Sequence, residues 1–162
     1  MAKDKDLHIV GFRIGRETFG VHISLVHEIV RVPEVTAVPE APEYVEGVIN
    51  LRGKIIAVVD LRKRFGEKEI KVHKKNRILV VEVSGKMVGL MVDSASEVLK
   101  IPPSEVDLPP NVFEDGELNY VTGVAKLHSR LIILIDLTKI LQKGELRRLE
   151  EFHEHQSAAV SA

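Results

Sequence analysis

Val45-Glu46-Gly47-Val48-Ile49-Asn50-Leu51-Arg52-Gly53-Lys54-Ile55-Ile56-Ala57-Val58-Val59 is a largely apolar run broken at Arg52-Gly53. Val45 to Leu51 and Ile55 to Val59 are each of strand length, and the pair between them reads as a tight turn. Gly53 supplies the positive φ that such a turn needs. The same arrangement recurs on both sides. Leu7 to Ile14 and Thr18 to Ile23 flank Gly15-Arg16, and Ile78 to Val83 and Met87 to Val92 flank Ser84-Gly85-Lys86. Leu131 to Ile135 is continuously apolar, the pattern of a strand buried on both faces. Two proline-rich stretches, Pro33 to Pro42 and Pro102 to Pro110, read as loops or sheet edges, because proline lacks a ladder donor. Asp60 and Asp136 are placed as helix N-caps. The first would start a short helix over Leu61 to Phe65, the second a helix reaching about Phe152.

The chain repeats itself. Phe19-Gly20-Val21-His22-Ile23 resembles Val88-Gly89-Leu90-Met91-Val92, with Glu28 on Glu97 and Pro33 on Pro102, at an offset of 69. Gly47-Val48-Ile49-Asn50-Leu51 then resembles Gly123-Val124-Ala125-Lys126-Leu127 at an offset of 76, in a register that carries Asp60 onto Asp136. Both halves have the order hairpin, proline loop, hairpin, capped helix, with a polar hinge at Gly66 to Asn76. Such repetition implies duplication and pseudo-two-fold packing. Short strands without βαβ spacing point to small antiparallel barrels.

Composition excludes more than it assigns. The 162 residues contain no cysteine, which removes thiol chemistry and disulfides. The 23 basic and 24 acidic residues give a net charge of −1, which offers no global attraction to nucleic acid or anionic lipid. No apolar stretch reaches the ~18–20 residues of a membrane span, and no signal peptide is visible, so a cytoplasmic location is expected. No phosphate-binding or nucleophile motif is present. His153-Glu154 does not complete a zinc pattern, since Ser157 stands where the second histidine belongs. No cofactor, metal or catalytic residue is called for. The runs Arg62-Lys63-Arg64 and Lys71 to Arg77 read as a solvated helix face and a solvated hinge.

The unequal parts of the repeat are the candidates for function. Asn50-Leu51-Arg52-Gly53 in the first half faces Lys126-Leu127-His128-Ser129 in the second. A tight turn needs Gly53 but not Arg52, which suits a partner carboxylate or carbonyl. Strand alternation puts Val26, Glu28 and Val30 on one face and His27, Ile29 and Arg31 on the other. The mixed apolar and acidic face suits an interface rim.

At these residues the chain resembles the CheW family of bacterial chemotaxis adaptors. The matching pieces are Phe19-Gly20-Val21 with Ile23, Val26-x-Glu28-Ile29, Pro39 and Pro42, Gly47 to Gly53, and Asp60-Leu61-Arg62-x-x-Phe65. Val88-Gly89-Leu90-x-Val92-Asp93 and Gly123-Val124 carry the looser second half. Ala57 departs from the pattern, where the family often has proline. The resemblance implies a mainly β fold of two pseudo-symmetric five-stranded SH3-like barrel subdomains with short helices and a C-terminal helix. The CheW-like domain would span 7–142, with subdomain one at about 15–65 and subdomain two at about 78–135. The N-terminal strand and C-terminal helix would complete the pair, and 143–162 would be a helical extension and disordered tail. It further implies a non-catalytic scaffold linking the cytoplasmic tips of methyl-accepting chemoreceptors to the regulatory domain of the histidine kinase CheA. The receptor tip would lie in the groove between the barrels. By motif, Val26 and Glu28 match the receptor-facing strand and Arg52 a functionally sensitive turn; Val30 and Asn50 extend that set by alternation and proximity. The chain runs little beyond the matched region, which favours a free-standing adaptor over a regulatory or coupling domain of another two-component system. A small nucleic-acid-binding barrel is disfavoured by neutral charge and few aromatics.

Overall fold

A computed structural model describes residues 5–67, 70, 72–108 and 120–141, and the backbone alone at 96 and 97. The elements in order are β1 (Leu7–Ile14), β2 (Glu17–His22), β3 (Val26–Arg31), β4 (Val45–Leu51), β5 (Lys54–Asp60) and α1 (Leu61–Arg64). The order then repeats with β6 (Arg77–Val83), β7 (Lys86–Val92), β8 (Ser94–Ile101), β9 (Val106–Asp107), β10 (Val121–Leu127), β11 (Arg130–Ile135) and α2 (Leu137–Ile140). The hairpins read from the sequence are thus present. The continuation of α2 towards Phe152, the tail and both C-terminal histidines fall outside the described residues.

The strands form two sheets of matching design. One has the order β3-β6-β7-β5-β4, the other β8-β1-β2-β11-β10-β9. In each, a single parallel pairing, β5 with β7 or β11 with β2, sits among antiparallel ones. The two-residue β9 pairs with β10, and its counterpart in the first sheet is an isolated bridge from Thr36 to Val48. Each proline loop therefore supplies a minimal edge.

The sheets are not built from contiguous halves of the chain. The hairpin β6–β7 completes the sheet of β3, β4 and β5, whereas β1–β2 joins β8 to β11. The two repeats have exchanged their first hairpins, which makes the packing of one repeat a condition of folding the other.

Three apolar clusters explain why most strands are buried on both faces. Ile49, Ile56, Val58, Ile78, Val80 and Met91 fill the inside of the first sheet. Ile9, Ile101, Ala125, Ile132 and Leu134 fill the second. Between the sheets lies a larger shared core that includes Phe12, Phe19, Ala57, Val59, Leu79, Val81, Leu90, Leu137 and Ile140. Alternate residues of β5 and β6 thus point into one barrel and into the shared core in turn. In β11 the burial begins only at Ile132; Leu131 is 57% exposed, unlike the fully buried strand expected from its apolar run.

Positions on which the halves agree are scaffold. The Asp60 and Asp136 carboxylates each accept a hydrogen bond from the backbone N–H two residues on, at 2.9 Å, as helix N-caps. Gly47 has φ +146°, and a Cβ there would lie 2.0 Å from the Thr36 carbonyl oxygen, so only glycine lets the loop bridge onto β4.

Candidate partner-binding site

β3 is an edge strand whose alternation is visible in its burial. Val26 and Val30 are half-buried, the first against the shared core and the second against the interior of the first sheet. His27, Ile29 and Arg31 are exposed. Glu28 lies between the two valines in sequence. A register shift between Val26 and Glu28, where β3 pairs with β6, lifts the strand locally. The structure therefore places the predicted apolar members of this face largely in the packing, while the Glu28 carboxylate reaches the surface.

That carboxylate meets the turn at the far end of the same sheet. Arg52 donates through Nη2 to Glu28 Oε1, with side-chain exposures of 73% for Arg52 and 28% for Glu28. The pair links β3 to the β4–β5 turn, the two ends of the strand order. The Asn50 side chain is committed to the turn, its Oδ1 accepting the Gly53 N–H at 2.8 Å. Both Arg52 (φ +52°) and Gly53 (φ +87°) are left-handed. The equivalent β10–β11 turn has the same form with no glycine at all, at His128 (φ +50°) and Ser129 (φ +64°). The turn thus tolerates several residue types, and arginine pays a left-handed strain on the order of 1 kcal/mol. Backbone geometry therefore gives no reason for arginine at position 52; its side chain does.

The basic run after Asp60 is corrected by the structure. Arg62 is not on a solvated face; it is only 3% exposed. Its Nε and Nη2 donate to the two oxygens of the buried Asp60 at 3.0 Å each, and Nη1 reaches Asp93 at 3.2 Å. The one-turn α1 folds the side chain back across its own cap residue. Burial works against the Arg62 charge, but hydrogen bonds and proximity to Asp60, then Asp93, raise its pKa above the ordinary arginine value. Asp93 also accepts the Gly15 N–H at 2.6 Å, and its carbonyl accepts from Asn76 Nδ2 at 3.1 Å. This cluster ties α1 and the start of β6 to the β1–β2 turn, one sheet to the other. Lys63 pairs with Glu46, and Arg64 Nη2 donates to the Ile140 carbonyl at 3.3 Å.

Two exposed apolar pairs lie outside the set that the sequence singles out. Ile29 and Ile55 on the first sheet are matched at repeat-equivalent positions by Val98 and Leu131 on the second, all four at least 37% exposed. Alternation signals Ile29, on the outward face of β3, but nothing in the apolar runs signals that β5 and β11 are exposed at their first two residues. Among the described residues no group of three or more metal-ligating side chains converges.

Comparison with known proteins agrees with this architecture. The CheW-like domain model matches residues 8–145. The chain is similar to the chemotaxis protein CheW of Treponema pallidum, 32% identical over 150 residues, covering 90% of this chain and 88% of that one. The CheW of Helicobacter pylori is 36% identical over 137 residues, covering 85% and 82%. The crystal structure of the scaffolding protein TtCheW from Thermoanaerobacter tengcongensis superposes with a TM-score of 0.78 at 40% identity, covering 86% of this chain and 95% of that one.

Proposed function

The chain belongs to the CheW family of chemotaxis adaptors, and on that premise we propose that it couples the histidine kinase CheA to the cytoplasmic tips of chemoreceptors. It acts without catalysis, in the cytoplasm, by holding two proteins in one geometry. Val26, Glu28, Val30, Asn50 and Arg52 belong to the partner-facing surface. Within it the roles divide. Glu28 and Arg52 make the contact, and Val26, Val30 and Asn50 hold the strand and the turn that carry them.

The observation that carries this reading is the Arg52–Glu28 pair. Its guanidinium is largely exposed on a tight turn, and the duplicated turn lacks both the arginine and the glycine. An exposed ion pair adds only ~0–1 kcal/mol to stability, so the fold does not depend on it. A guanidinium held by one carboxylate keeps other N–H donors free for a second acceptor. Interfaces below about 1,200 Å² are weak singly and gain from multivalency in an array. Signalling then requires that the contacts differ between receptor states.

The test is a titration of Arg52→Glu against the CheA regulatory domain and a receptor-tip fragment, with circular dichroism alongside. A folded variant that binds at least one partner about tenfold more weakly supports the assignment. Loss of fold, or unchanged affinity for both, overturns it.

A further inference from the structure

We infer that a basic band running from the β1–β2 turn to the end of β3 is a second docking surface, one that takes an acidic, apolar-studded segment of a protein partner. Two adjoining concavities, of about 810 and 870 Å³, share Lys75 and Arg77 in their walls. Arg13 and Arg16 line the first, and Arg31 and Lys74 the second. Among the described residues no carboxylate pairs with any of these six cations. The carboxylates in the walls of the second concavity are already engaged, Asp60 with Arg62 and Glu46 with Lys63. Among the described residues Glu17 is the single acidic side chain lining the first. This concentration stands on a chain whose net charge is −1.

A second observation is independent of the cavities. Arg31 and Arg77 are directly opposite one another in the antiparallel β3–β6 pairing. Like charges at opposed positions on one sheet face repel. Among the described residues no carboxylate pairs with either; the Arg77 Nη1 turns instead to the carbonyls of Lys74 and Asn76, at 2.8 Å each. An anionic partner would convert that repulsion into a bidentate clamp.

The apolar content of the band selects the class of partner. Leu131 lines the first concavity and is 57% exposed, while Val72 lines the second and is 97% exposed. Concave walls suit a protein segment better than a flat bilayer. Phe12, Phe19, Phe65 and Tyr120 are all drawn into the shared core, which leaves no stacking platform for bases among them. The band leaves β3 by its outward face, through Arg31, whereas the Arg52–Glu28 surface uses the opposite face. The inference therefore stands apart from that assignment.

The probe is a (Glu-Glu-Leu) repeat peptide of about fifteen residues, titrated into the full chain with backbone amide shifts recorded by NMR. The expected result is saturable shifts at Arg13, Arg16, Lys74, Lys75 and Arg77. Lys75→Glu should weaken binding about fivefold, and Lys75→Glu with Arg16→Glu at least about tenfold. Lys100→Glu, an equal change of net charge outside the band, should leave it unchanged. Raising salt from about 50 to 300 mM should weaken it further, as screening shortens. Shifts absent from the band, or equal weakening by Lys100→Glu, overturn the proposal. So does tighter binding by phosphatidylglycerol–phosphatidylcholine vesicles or by a single-stranded oligonucleotide.

Discussion

Arg62→Met replaces a buried guanidinium with an uncharged side chain that fills part of the same space. The Asp60 carboxylate, 1% exposed, would keep its capping hydrogen bond from the backbone N–H of residue 62 but lose both bonds from the guanidinium. Removing one partner of a buried pair costs about 3–5 kcal/mol, because the remaining charge stays desolvated. Against a domain stability of roughly 5–15 kcal/mol this is a large share. The contact from Nη1 to Asp93 is also lost, and with it one link between the sheets. Adding Asp60→Asn removes the orphaned charge, so the double variant should lie closer to the parent than the single one does. Urea unfolding followed by circular dichroism measures both, with an unchanged m-value as the sign that the same surface unfolds. A loss below about 1 kcal/mol for Arg62→Met, or a double variant less stable than the single, would refute the reasoning.

Gly47→Ala should cost more than about 4 kcal/mol or prevent folding, since its Cβ would strike the Thr36 carbonyl, which is backbone and has no rotamer to yield. Gly53→Ala, at φ +87° in open space, should cost only about 1 kcal/mol, and thermal melts of the two variants compare them. The charge swap of Glu28→Arg with Arg52→Glu should restore any stability lost in the single variants, to within about 1 kcal/mol, without restoring partner affinity. Recovery of binding would mean that the pair acts only within the chain. At alkaline pH the raised pKa values set the sign. The Glu46 hydrogen bond raises Lys63 despite partial burial, and burial raises Tyr120 against the pull of Arg64. In both cases the folded state holds its proton longer than the unfolded one. Their contribution is complete below about pH 10 and is lost as pH climbs through the folded values. Urea midpoints that hold up to about pH 10 and fall above it support this, and a profile flat through the alkaline range contradicts it.

The hairpins were legible because each depends on two or three turn residues set between apolar runs, as at Arg52-Gly53. The duplication was legible because Gly20 and Gly89 do the same work. Each sits where a Cβ would crowd an isoleucine of the neighbouring strand, Ile9 or Ile78. The exchange of hairpins was not legible. It rests on the parallel pairings β5–β7 and β2–β11, which join segments far apart in the chain and leave no local signature. The site was half legible. Glu28 and Arg52 were each singled out, but their pairing across 24 residues was invisible. Residue type and a basic neighbourhood point Arg62 to solvent, whereas the one-turn helix folds it back onto Asp60 and Asp93. Val26 follows from the motif and Val30 from alternation, and neither says whether the face they share is packed.

The most direct test of the adaptor assignment is reconstitution with CheA and a receptor cytoplasmic fragment, measuring kinase activity with and without receptor ligand. The account predicts that adding this chain makes the activity depend on the receptor, and that Arg52→Glu abolishes the dependence while remaining folded. Kinase activity that ignores the receptor in the presence of the folded, unmodified chain would contradict it.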